Sequence, residues 1–249
     1  MTRNENTSEC IPAPKVPETK EPLVFCTRKM CRHKDRQTVA GTIITGTGRA
    51  GTSFLVAVLS TLGMPTGYQG KKALSKIQSV PWHAGLERSV LPSCMCFRQG
   101  HKTPCLHFGS GLQIIKSPQL AIPNQHQIWL SPPVSGVSNV ILPVRSSYET
   151  GASRVANGHG YGGLNTGATN LESQQRVDES ILVSLIVALA KEDINVTLLN
   201  YPKHVLDPNY SANRLDWLLR RYGVTKDQFV KAHRSTANTT LVHSNIQPL

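Results

Sequence analysis

The chain has 249 residues, of which 39% are hydrophobic and 17% charged, and it carries a formal charge of +12. That length supports one large α/β domain with a full core, and the basic balance points to an anionic partner: nucleic acid, a nucleotide cofactor or an acidic glycan. No apolar run is long enough to span a bilayer and no basic-then-apolar leader is present, so a soluble cytoplasmic protein with no membrane partner is the expectation.

Residues 1–38 are rich in Pro, Lys, Arg, Thr and Glu without period, and read as a disordered basic segment ahead of a single domain at 39–249. Gly41 to Thr45 reads as a buried strand and Thr52 to Leu62 as a helix. Leu55, Val58, Leu59 and Leu62 form its apolar face, and Gly63 stops it. Residues 64–111 lack a clear element and read as an irregular substrate-side insertion. This insertion contains Cys94, Cys96 and Cys105 with His101 and His107, whose spacing is not that of a familiar zinc module. No metal is therefore expected.

Leu112 to Lys116 reads as a second strand ended by Pro118, and Asn139 to Val144 as a third, with Arg145 at its end. A helix is expected over Ser147 to Asn157, then a glycine-rich loop to Gly167, either a flexible connector or a cover for a ligand. Leu171 to Lys191 carries the strongest helical period, with Val177, Ile181, Leu185 and Leu189 as a core stripe. Ile194 to Leu199 is a fourth strand, and helices are expected over Asn213 to Tyr222 and Lys226 to His233. This alternation predicts a three-layer α/β fold of the P-loop NTPase type, its mostly parallel sheet flanked by helices. Ligands then bind beyond the carboxyl ends of the strands, where Gly46, Lys116, Arg145 and Asn200 fall.

The turn between the first strand and helix is the richest in chemistry. Gly46 to Gly51 followed by Thr52 and Ser53 has Walker A spacing, and such a turn with its helix N-terminus forms an anion cradle. Thr52 occupies the position of the ATP-binding lysine, however, and Arg49 is the nearby cation.

Arg49-Ala50-Gly51-Thr52-Ser53 resembles the phosphosulfate loop of the sulfotransferases that use 3′-phosphoadenylyl sulfate (PAPS), with Ala50 in place of the usual Ser. The family's second motif is a strand ending in Arg with Ser eight residues on; Arg145 and Ser153 match it. Lys116-Ser117-Pro118 resembles the Lys-Asp-Pro of bacterial and protein-tyrosine members, without the acid, and Gln119 is a further departure. The resemblance implies that Gly48, Arg49, Ala50, Gly51, Thr52 and Ser53 hold the 5′-phosphosulfate of PAPS and that Arg145 and Ser153 hold its 3′-phosphate. Adenosine 3′,5′-bisphosphate would be the product, no metal would be required, and a glycan or small hydroxyl compound would be the acceptor. Arg49 and Lys116 would stabilise charge in the transfer. A general base within about 3 Å of the acceptor hydroxyl would be Glu87 or His83, four residues apart on one face if that segment is helical.

Two other readings remain open on the sequence. A P-loop kinase of a small molecule would want Lys at Thr52 and an acidic strand end. A non-catalytic binder of nucleotide or nucleic acid would account for the charge, but aromatics are only 6% and no nucleic-acid module is recognisable, so no nucleic-acid partner is expected.

Overall fold

Ile43 and Ile44 are neighbours in one strand, point to opposite faces, and are both fully buried, which requires cover on both sides of the sheet. The computed structural model describes residues 24–25, 41–70, 72–73, 75, 86, 95–96, 114–121, 137–158 and 168–237. Their elements in chain order are β1 (Val24–Phe25), β2 (Gly41–Ile44), α1 (Thr52–Thr61), β3 (Met95–Cys96), β4 (Ile114–Lys116) and a 3₁₀ turn (Pro118–Ala121). Then follow β5 (Val137–Val144), α2 (Ser147–Asn157), α3 (Leu171–Lys191), β6 (Asn195–Asn200), α4 (Lys203–Leu206), α5 (Pro208–Arg214), α6 (Asp216–Arg221) and α7 (Lys226–Thr236). A two-residue antiparallel ladder joins β1 to β3. The main sheet runs β4-β2-β5-β6 with every described pairing parallel. The fold is thus a three-layer α/β architecture with a parallel central sheet flanked by helices.

Strand alternation sorts the core into two layers. Ile44, Ile114, Ile141 and Leu199 pack with Leu55 and Leu59 of α1 and with Leu215, Leu218 and Phe229 beyond β6. On the opposite face Ile43, Ile115, Val140 and Leu142 meet Leu185 and Leu189 of α3. Local signals set the helix ends. Gly63 N–H donates to Ser60 O and Met64 N–H to Leu59 O, a paired closure of α1 that needs the left-handed backbone of Gly63. Asn170 with Ser173 caps α3 reciprocally, and Thr225 with Gln228 caps α7.

Three expectations change. The expected helix over Asn213 to Tyr222 is two helices meeting at Leu215, and α5 starts earlier, where Asp207 caps the chain and Pro208 takes the first helical position. The stripe of α3 is apolar only in its second half: Gln174 and Asp178 fill buried positions in the first. The third strand begins at Val137, two residues ahead of the expectation. At the edge strand β6, Arg214 Nε and Nη2 donate to Leu198 O at 3.1 and 3.0 Å, and Asn200 N–H donates to Tyr210 Oη at 2.9 Å. Helix side chains therefore occupy backbone groups that an edge would otherwise offer to another strand. Among the described residues no helix is long and apolar enough to cross a membrane.

Candidate functional site

The chain leaves β2 for β4 on one side and passes from β4 to β5 on the other, so the order reverses at β2. The crevice beyond the carboxyl ends of β2 and β5 is where such a sheet takes a ligand. Two segments meet there: the loop from Gly46 to Gly51, and the turn from β5 into α2. The loop is coiled by positive φ at Gly46 (150°), Gly48 (87°), Arg49 (56°) and Gly51 (76°). For Arg49, a side chain with a Cβ, this conformation costs about 1–2 kcal/mol. Its carbonyl is held from outside the loop: Arg145 Nη1 donates to Arg49 O at 3.2 Å. Gly51 has no room for a side chain, because a Cβ would lie 2.7 Å from His204 Nε2.

The residues singled out from the sequence converge on this loop. Arg49 Nε donates to Ser153 Oγ at 3.0 Å, joining the loop to α2. Lys116, at the end of β4 and only 6% exposed, donates from Nζ to Ser53 Oγ at 2.7 Å. A lysine at the sheet rim would be solvated; this one crosses to the first turn of α1. Arg145 is 7% exposed and its Nε meets Glu149 Oε2 at 3.4 Å. Thr52 and Ser53 are buried at the start of α1, whose first turn holds no acidic residue and whose cap position, Gly51, supplies no side-chain bond. A ten-residue helix with that N-terminus directs a partial positive charge at the loop. Ala50 is fully buried, as is Ser117, whose Oγ meets no hydrogen-bond partner among the described residues.

Several participants were not singled out from the sequence. Arg154, next to Ser153, reaches across to donate from Nη2 to Thr47 O and pairs through Nε with Asp178 Oδ1 of α3 at 3.4 Å. Behind Gly51 sits His204, 1% exposed, with Nδ1 donating to Asn200 O at 3.2 Å. Its own carbonyl accepts from His233 Nε2 at 2.9 Å and from Ser211 Oγ at 2.7 Å. Tyr201 closes the group, its ring centroid 4.8 Å from Arg145 Cζ. The signals for Arg154 and Asp178 were weak: an Arg next to a motif residue, and an acid in a helix's apolar register.

Like charges are crowded here. Burial first, and then the charges of Arg145 and Arg154, hold the Arg49 guanidinium below its ordinary range, while Tyr201 acts in the opposite sense. Arg154 is also lowered by burial, against the pull of Asp178. Burial pushes the Tyr201 phenol up, Arg145 and Arg49 opposing it and Glu149 adding to it. Burial brings His204 down to about 4, against opposing backbone effects from Asn200 and Gly51. A bound oxyanion would relieve the mutual repulsion of Arg49, Arg145 and Arg154, and guanidinium groups are suited to phosphate and sulfonate oxygens.

The proposed bases are not among these residues. His83 and Glu87 lie outside the described residues, as do His101, His107, the cysteines at 94 and 105, and the glycine-rich loop from 159 to 167. Leu86, between His83 and Glu87, is buried in the core with φ +61°, so a continuous right-handed helix does not run through it. The helical premise for pairing His83 with Glu87 fails at that residue. Among the described residues no group of three or more metal-ligating side chains comes together. Comparison of the chain with protein-family models, with curated proteins and with solved structures finds no match.

Proposed function

We propose that this chain is a PAPS-dependent sulfotransferase of the P-loop type, transferring a sulfonate to the hydroxyl of a carbohydrate or other small acceptor in the cytoplasm. The observation that carries the reading is the pair of cross-links onto the β2–α1 loop: Arg49 to Ser153 and Lys116 to Ser53. Segments separated by 104 and 63 residues thereby meet at one phosphate-sized turn. The donor set fits the cofactor, since it joins guanidinium, ammonium and hydroxyl groups at a helix N-terminus with no acid in its first turn.

When bound, PAPS supplies a sulfonate carrying one negative charge and a phosphate leaving group, which explains why cationic side chains can serve without a metal. Thr52 and Ser53 would hold the 5′-phosphosulfate, Arg145 and Ser153 the 3′-phosphate. Arg49 and Lys116 supply the positive charge that opposes the build-up on the departing oxygen. A kinase reading is less well supported, because Thr52 stands where its phosphate-binding lysine belongs.

The test is thermal unfolding with adenosine 3′,5′-bisphosphate and, separately, ATP–Mg²⁺. Saturation at 100 times Kd adds about 2.7 kcal/mol to the folded state. For a chain of this size that raises Tm by roughly 5–10 °C. The expected result is stabilisation by the bisphosphate, reduced in Arg145→Ala. Stabilisation by ATP–Mg²⁺ alone would refute the proposal.

A further inference from the structure

Tyr201 follows directly on β6 and is held from three directions. Its N–H donates to Val144 O at 2.8 Å, which ties it to the end of β5 beside Arg145. The Arg145 guanidinium lies over the ring, and the His204 ring packs against it at 5.9 Å between centroids, tilted by 57°. The ring is half-buried, and among the described residues its hydroxyl meets no hydrogen-bond partner. Buried tyrosine hydroxyls ordinarily find one. The charges that reach the phenol are those of Arg145, Glu149 and Arg49, which puts the hydroxyl in the cation cluster at the mouth of the loop.

We infer that the Tyr201 hydroxyl is a ligand of the anion held by Arg49 and Arg145, donating a hydrogen bond to a phosphate or sulfonate oxygen. Burial raises the phenol's pKa, so the group remains a neutral donor across the neutral range. Arg145 covers a face of the ring, so the residue contributes through its oxygen rather than as a platform for a base. The inference depends on the sulfotransferase reading only for the identity of the anion.

Calorimetric titration of the full chain and of Tyr201→Phe, each with adenosine 3′,5′-bisphosphate and with inorganic pyrophosphate, tests it. Phe keeps the ring between Arg145 and His204 and removes only the oxygen. The expected result is an affinity for the bisphosphate about tenfold weaker in Tyr201→Phe, with the Tm of the ligand-free protein unchanged. Equal affinities in the two proteins overturn the assignment and leave the sulfotransferase reading standing. A lower ligand-free Tm in Tyr201→Phe overturns it too, because the hydroxyl then serves the fold. Wild-type binding of pyrophosphate alone removes the sulfotransferase reading, and Tyr201 is then decided by the same tenfold loss on pyrophosphate. Binding of neither probe overturns both.

Discussion

Gly51→Ala and Gly63→Ala form a matched pair that tests the packing behind the loop. Both glycines are left-handed, with φ +76° and +73°, so alanine pays a similar backbone cost at each, about 1–2 kcal/mol. They differ in surroundings. A Cβ at Gly63 would meet nothing within 4 Å, whereas at Gly51 it would lie 2.7 Å from His204 Nε2, 2.9 Å from Cε1 and 3.0 Å from Val205 Cγ2. His204 cannot simply swing away, since Nδ1 is bonded to Asn200 O and its carbonyl to both His233 and Ser211. Overpacking of this kind costs about 1–3 kcal/mol beyond the backbone term. Gly51→Ala should therefore unfold roughly 5 °C below Gly63→Ala, given about 2–4 °C per kcal/mol for a chain of this length. Calorimetric melting of the ligand-free proteins reads the difference. Adding His204→Ala to Gly51→Ala should recover part of the loss, because the obstructing ring is gone. Equal Tm values for the two alanine variants, or no recovery in the double variant, would refute the contact.

His204 also predicts an acid-side loss of stability. Its pKa falls from 6.5 to about 4 on folding, so between these values the unfolded chain holds a proton that the folded chain does not. Stability therefore declines as pH drops from about 6.5 to about 4, by roughly 3 kcal/mol. Burial lowers His233 as well, which acts in the same direction. Urea unfolding of His204→Asn should show a flatter pH profile across this window; an unchanged slope would assign the loss to other groups. The buried pair of Arg154 and Asp178, 9% and 2% exposed in their side chains, should lose about 3–5 kcal/mol when either is cut to alanine. The joint replacement Arg154→Met with Asp178→Leu should recover most of that. Additive losses in the denaturation cycle would mean that the two do not act as a pair.

The architecture was legible in the sequence because its elements are short-range objects. A buried parallel strand declares itself by a β-branched run, as at Thr42 to Ile44, and α2 and α3 run between the residues that the helical period and caps indicated. Where the reading slipped, a local signal was passed over: Asp207-Pro208 is a helix start, and Leu215 separates two helices that the apolar period merges. For the site, spacing alone brought out Arg49, Thr52, Ser53, Lys116, Arg145 and Ser153. His83 and Glu87 were paired on an assumed helix, and the left-handed backbone of Leu86 removes that assumption.

By itself, then, the sequence determined a glycine-rich turn between a buried strand and a helix, and cations at the ends of two further strands. Backbone sterics and side-chain period are local, so they are written in neighbouring residues. Only the tertiary structure decided which distant groups meet. Asp178 sits in an apolar stripe because Arg154 is there to pair with it, and Gly51 is needed because His204 fills the space behind it. Tyr201 gains its meaning from Arg145, brought alongside by the parallel register of β5 and β6. Such choices depend on close packing between segments far apart in the chain, where the identity of one side chain is set by the volume and charge of another.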